Sequence, residues 1–277
     1  MTLRLAYNTN GWPQHELRDV AAQLAALGYA GIAITPDVFH LNPWRAGALE
    51  DARALRRQLD DLALAVAVET GARFVLDPAR KHWPTLLDEP PHAARRLDYL
   101  RRCLDLAVAL RAETLSFWSG ARPPGLADEA VLERLCAGAH ALLDAAAGSD
   151  VRVCLEPEPG MAVASLQDAG DALLAVGRED LLLMLDVGHV PVTEDLPPAD
   201  AILAFGPRLG GVQLDDSAGG RHEHLFFGEG GIDWPAVAAA LRATGFAGLA
   251  SVELPRHDFD PVTTARRAME FWRGLRG

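Results

Sequence analysis

Short apolar runs alternate with amphipathic stretches along the whole chain, and the alternation repeats eight times. LRLAYNTN (Leu3–Asn10) predicts a strand, and HELRDVAAQLAALGY then carries apolar positions at helical spacing. AGIAIT (Ala30–Thr35) predicts a second strand, with the helix ALEDARALRRQLDDLAL after a loop. AVAVETG (Ala65–Gly71) precedes the helix HAARRLDYLRRCLDLAVALRA, and TLSFWSG precedes EAVLERLCAGAHALLDAAA. VRVCLEPEPG leads into SLQDAGDALLAVG, and LLLMLDVGH into PPADAILAFG. GGVQLDD leads past a Gly-rich loop into DWPAVAAALRATGF, and GLASVEL into PVTTARRAMEFWRGL.

The strands are apolar and mostly non-alternating, the pattern of strands covered on both faces. Ser165, Asp195 and Asp233 precede helical runs as N-caps, with Pro197 and Pro235 in the first turns. Eight βα units of roughly 30 to 35 residues predict an α/β fold, a (β/α)8 TIM barrel in which residues 1–277 form a single domain. Its active site should lie at the C-terminal ends of the strands. A doubly wound sheet fits less well, because NTNGWPQ after the first strand is not the Gly-rich turn that cradles a dinucleotide.

The strand ends carry the candidate chemistry. The fifth ends in Glu156 and Glu158, the sixth in Asp186 and His189, the seventh in Gln213, Asp215 and Asp216, and the eighth in Glu253. In a barrel these ends meet at one mouth. Ionised carboxylates facing each other among apolar neighbours are costly unless paired or metal-bound. Glu156, Asp186 and Glu253 therefore point to a divalent cation. Asp215 and Asp216 either support that site or cap the following loop. Long connections after the second and third strands, residues 36–47 and 72–90, carry Phe39, His40, Trp44, Phe74, His82 and Trp83. They wall a substrate pocket or merely pack the loops down, and the roles of His40, His82 and His222 stay open.

Composition narrows the partners. A formal net charge of −12 opposes nucleic acid and anionic membrane surfaces, and a phosphate site would need local compensation. No apolar run is long enough to span a bilayer, and MTLRLAYNTNGW is too soon polar for a signal peptide. The isolated Cys103, Cys136 and Cys154 predict reduced thiols in a cytoplasmic protein.

LEPEPG, LDVGH, VQLDD…RHEHLFFGEGGIDW and VEL together resemble the xylose isomerase-like TIM barrels, which include sugar isomerases, epimerases and endonuclease IV. The resemblance implies that Glu156, Asp186, Gln213 and Glu253 bind Mn²⁺, Mg²⁺ or Co²⁺. It implies substrate-oxygen contacts from His189 and Arg221, with His224 also facing the site and Glu158 beside it. The implied partner is a sugar or cyclitol, and a homo-oligomer is open. Proton transfer next to a carbonyl, with Glu156 and Glu253 as bases on opposite sides of the mouth, would give isomerisation or epimerisation. An inosose dehydratase or 3-keto-sugar lyase would use the same enolisation, and a non-catalytic metabolite-binding barrel is a further class. Endonuclease IV fits poorly: the third and fourth strands end in Glu69–Thr70 and Ser116–Phe117–Trp118, without the histidines of its zinc cluster.

Overall fold

A computed structural model describes residues 3–275. Eight parallel strands close into a barrel: β1 (Arg4–Asn8), β2 (Gly31–Ile34), β3 (Ala65–Glu69), β4 (Thr114–Trp118), β5 (Arg152–Glu156), β6 (Leu181–Asp186), β7 (Leu209–Leu214) and β10 (Leu249–Val252), the last pairing with both β7 and β1. Two further strands, β8 (Asp216–Ala218) and β9 (Arg221–Leu225), form an antiparallel hairpin above the mouth where the sequence pattern gave only a Gly-rich loop. Outside run α1 (Leu17–Leu27), α2 (Ala48–Asp61), α3 (Pro90–Ala109), α4 (Asp128–Ala146), α5 (Leu166–Val176), α6 (Val190–Thr193), α7 (Pro198–Phe205), α8 (Trp234–Ala243) and α9 (Pro261–Gly274). The α/β barrel read from the sequence is the fold.

Alternation inside the barrel explains where polar groups emerge. Ala6, Ala33, Ala67 and Leu249 form a small cluster of their own, separate from the large core between strands and helices. Side chains two residues apart share a face of a strand. Stepping toward the C-terminal ends, Ala6 leads to Asn8, Ala33 to Thr35, Ala67 to Glu69, and Leu249 through Ser251 to Glu253. The apolar floor thus turns into a polar rim within one or two steps.

Local capping agrees in part with expectation. Ser165 forms a reciprocal capping box with Asp168 at the start of α5, and Asp233 caps α8 by accepting from the Ala236 N–H. Asp195 is not a cap: Pro197 occupies that position on α7 and Pro198 opens the helix. A proline there pre-sets the backbone and needs no side-chain acceptor for a missing N–H. Cys103 and Cys154 are buried and unpaired, and Cys136 is half-buried and unpaired. Among the described residues no helix is long and apolar enough to cross a membrane.

Candidate active site at the barrel mouth

The mouth holds a cavity of about 490 Å³, lined by Glu156, Glu158, His189, Gln213, His224 and Glu253 among others. Asp186, 1% exposed, lies with them, its carboxylate within 4.8 Å of ligand oxygens of both Glu156 and Glu253. Arg221 is the predicted site residue that the fold does not bring in. It is exposed at the start of β9 and does not line the cavity. The hairpin explains why: Gly219 and Gly220 turn the chain with positive φ, and Arg221 emerges on its outer side. Arg256 and Lys81, the only lysine in the chain, sit at the rim instead. Glu156 and Glu253 are also not directly opposite. β6 and β7 separate their strands on one side, and β1, β2, β3 and β4 on the other.

Glu69 is the acid that the sequence pattern passed over. It is 5% exposed and accepts hydrogen bonds from Gln213 Nε2 at 2.9 Å and from Asn8 Nδ2. Burial pushes it up to about 8, against the opposing pull of those two amide donors. Asn8 Oδ1 in turn accepts from Thr35 Oγ1 at 2.8 Å and from the Asn10 N–H at 2.9 Å. Asn10 Nδ2 reaches Glu253 Oε1 at 2.6 Å. The NTN segment is therefore a polar brace that orients two carboxylates from below, a role visible only once the first and last strands are neighbours.

Gln213 spends its amide N–H on Glu69, so its oxygen is left to point elsewhere. Gln213 Oε1, Asp186 Oδ2 and Glu69 Oε1 are all buried without hydrogen-bond partners, and each is an acceptor. Buried acceptors without donors cost about 1–3 kcal/mol apiece, more for a charged group. Glu156 and Glu253 are both pushed well above the usual carboxylate range, first by burial and then by neighbouring acids. Those neighbours are led by Glu158 for Glu156 and by Glu69 for Glu253. A divalent cation fits this donor set. It would take oxygens from Glu156, Asp186, Gln213 and Glu253, with Glu69 orienting the amide from outside.

Asp215 and Asp216 have separate jobs. Asp216 accepts from the backbone N–H groups of Ser217, Gly228 and Ile232 and from Trp234 Nε1, all within 3.2 Å, and so ties down the loop after the hairpin. Asp215 instead holds His224 through its Nδ1. His224 adopts a left-handed backbone, φ 48°, which is costly for a residue with a side chain and aims the ring inward. His222 and His224 both stay below the ordinary histidine range, chiefly through burial, His222 falling to about 3. His82 bonds the Gly71 carbonyl at 2.6 Å and stands edge-on to Trp118, so the pair forms one wall of the mouth. His40 is away from the cavity, buried against the His15 carbonyl at 2.8 Å.

Gly188 makes the Asp186–Asp215 arrangement possible. Its N–H donates to Asp186 Oδ1 at 2.7 Å, and a Cβ there would fall 1.5 Å from Asp215 Oδ1. Gly188→Ala should expel the Asp215 carboxylate and release His224, lowering the melting midpoint by about 2–12 °C, as overpacking of about 1–3 kcal/mol in a chain this size implies. Thermal denaturation of the purified variant checks this, and an unaltered midpoint would count against it.

The profile of the xylose isomerase-like TIM barrel family matches residues 21–275. No curated protein sequence matches the chain significantly. Among solved structures, D-allulose 3-epimerase from Methylomonas sp. is 21% identical over 99% of this chain and 98% of its own, with a TM-score of 0.79. The 3-keto-D-glucoside 4-epimerase from E. coli is 17% identical over 99% and 100%, also at 0.79. The IOLI protein, solved with a binding zinc atom, is 18% identical over 98% of each chain at 0.75. With its closed eight-stranded barrel and a profile match over nearly its full length, the chain belongs to the xylose isomerase-like TIM barrel family.

Proposed function

We propose that the protein is a divalent-metal-dependent isomerase or epimerase of a sugar or sugar-like hydroxyketone, acting by proton transfer at the carbon next to a carbonyl. The observation that carries this reading is the convergence of Glu156, Asp186 and Glu253 at one mouth, beside an amide oxygen with no partner. A non-catalytic binding pocket for a neutral sugar has no need to gather mutually repelling acids. The donors are all oxygens, which favours Mn²⁺, Mg²⁺ or Co²⁺. When bound, such an ion supplies charge compensation for the acids and Lewis acidity toward a substrate oxygen.

The chain's own groups account for the proton transfer. Glu156 and Glu253 come from strands three steps apart in the ring, so their carboxylates approach one substrate carbon from different directions. Each takes or returns a proton there. Two bases on two faces give an epimer, and one base moving a proton between adjacent carbons gives an aldose–ketose pair. The Asn10 amide holds Glu253 in place through one of its oxygens. Glu158 and the histidines on the β6–β9 side face substrate oxygens, while the Trp118–His82 wall excludes water from the other side. Related folds named for D-allulose and a 3-keto-D-glucoside support polyhydroxy ketones as the substrate class.

The test is turnover of Mn²⁺-loaded protein in D₂O with free ketohexoses, inososes and 3-keto-glucosides. Deuterium should enter the carbon next to the carbonyl of at least one substrate class, with loss of turnover on chelation. Expulsion of a substituent two carbons from the carbonyl would reassign the reaction to a lyase. No exchange and no product with any of these substrates would overturn the enzymatic reading.

A further inference from the structure

The cavity changes sign between its strand ends and its rim. The acids close the strands, whereas the cations stand on the loops beyond them: Arg73 and Lys81 after β3, and Arg256 in the turn after β10. Basic residues are the minority charge of the chain, 26 against 38 acids, and its single lysine stands here. Asp37 and Asp77, on the loops after β2 and β3, are spent on Arg73 and Arg80, each at 2.8 Å. Among the described residues Lys81 and Arg256 have no carboxylate partner, and Arg256 donates to the His222 carbonyl at 3.2 Å.

Two histidines register this field. Burial pushes His82 down to about 4 against its bond to the Gly71 carbonyl, and the charges that act on it, from Lys81, Arg96 and Arg73, are all positive. Burial also holds His224 down. Arg256 and Lys81, from loops after different strands, act on it in the same sense, opposed by Asp186 and Glu158. Arg96 adds to the field from outside the cavity lining. It is 0% exposed, stacks 4.3 Å from the centroid of the Trp118 ring and donates to the Thr70 carbonyl at 2.7 Å. Its Nε and Nη1 are buried without partners. A buried cation without a counter-charge is costly, and an anion in the adjoining cavity would lower that cost.

We infer that the substrate carries an anionic group, a phosphate ester or a carboxylate, at the end away from its carbonyl, and that Lys81 and Arg256 hold it. The reacting end belongs with the acids at the strand ends, so the other end reaches the loops. A neutral sugar would leave both cations without a counter-charge. Arg73, tied to Asp37, and Arg96, behind Trp118, supply field rather than contact. A group remote from the reacting carbon is bound alike in ground and transition states, so neutral ketoses remain substrates of weaker affinity. The choice of reacting end rests on the enolisation reading, but the binding of the anion does not.

Calorimetric titration of the Mn²⁺-loaded full-length protein with D-fructose, D-fructose 6-phosphate and D-fructuronate, which differ only at C6, tests the assignment. At least one of the two anions should bind about 10-fold or more tighter than D-fructose, as charge-assisted hydrogen bonds imply. Added salt should erode that difference, and the tighter anion names the group. Lys81→Gln and Arg256→Gln should each remove most of the difference, while Lys81→Arg should keep it. Both side chains are exposed, so the fold does not depend on them. Equal affinity for the three ligands, no binding of either anion, or a difference that survives both glutamine variants would overturn the proposal. An anion bound tightly without any deuterium exchange would sink the enolisation reading and leave this one standing. D-fructose that exchanges and binds as tightly as the anions would do the reverse.

Discussion

Glu156→Gln and Glu253→Gln should each abolish most solvent-deuterium exchange, by about 10²–10⁴-fold, while the protein still binds metal. The proposed roles of these residues overlap, since both supply oxygen to the cation and both are proposed to move the proton. Glutamine separates the two: it keeps an oxygen donor of the same reach but has no carboxylate to accept a proton. The two variants should differ in side effects. Glu156 is 6% exposed and sits among acids, so removing its charge relieves repulsion with Glu158, Glu253, Glu69 and Asp186. Glu253 keeps its Asn10 bond only if the amide presents its oxygen to Asn10 Nδ2. Metal content measured beside exchange in the same preparations gives the decision. Exchange near the wild-type rate in both variants would move the proton-transfer role to another group, such as Glu69 or Glu158, which also line the cavity. Exchange lost in one variant alone points to a single-base isomerase rather than a two-base epimerase.

The barrel was legible because its strands are apolar on both faces and its helices are amphipathic, a difference of period that survives without any contact information. The acids at the later strand ends stood out for the same reason, as charges closing apolar runs. Glu69 closes such a run too, AVAVE, yet its partners lie on strands remote in sequence. Asn8 is 61 positions away and Gln213 is 144 away, and only ring closure makes them neighbours. The hairpin was illegible for a different reason. RHEHL is short, polar and half-exposed, so no hydrophobic alternation marked it as a strand, and that omission is what left Arg221 without a direction. Asp215 and Asp216 look equivalent as letters. Their separation into a histidine support and a loop clamp comes from β7 ending at Leu214, after which the two side chains leave the backbone in different directions.

Removing the metal should lower the melting midpoint by roughly 10 °C at pH 8, and the difference between metal-free and loaded protein should grow with pH. A ligand at about a thousand times its dissociation constant stabilises the native state by about 4 kcal/mol. In a chain of this size each kcal/mol shifts the midpoint by about 2–4 °C. The pH dependence follows from the buried acids. Glu69 is raised to about 8 by burial, and Glu156 and Glu253 are raised in the same direction. Unfolded, these groups release their protons near pH 4.3. Their stabilising contribution is therefore full below that value and is lost as pH rises through the folded-state value, because the unfolded chain then binds fewer protons. His222, lowered to about 3, acts in the opposite sense: its contribution is full above about 6.5 and is lost as pH falls toward the folded-state value. Above pH 7 the histidine is neutral in both states and the carboxylates alone govern the slope. Metal-free protein should consequently lose stability between pH 7 and 9. Loaded protein should lose less or gain, since the ion binds the ionised carboxylates and its affinity rises as their protons leave. Calorimetric scans at pH 6, 7, 8 and 9, with chelator and with Mn²⁺, measure both slopes. Parallel slopes, or midpoints unmoved by Mn²⁺, would mean that the acids at the mouth remain protonated in use, and a cation could not then be what gathers them.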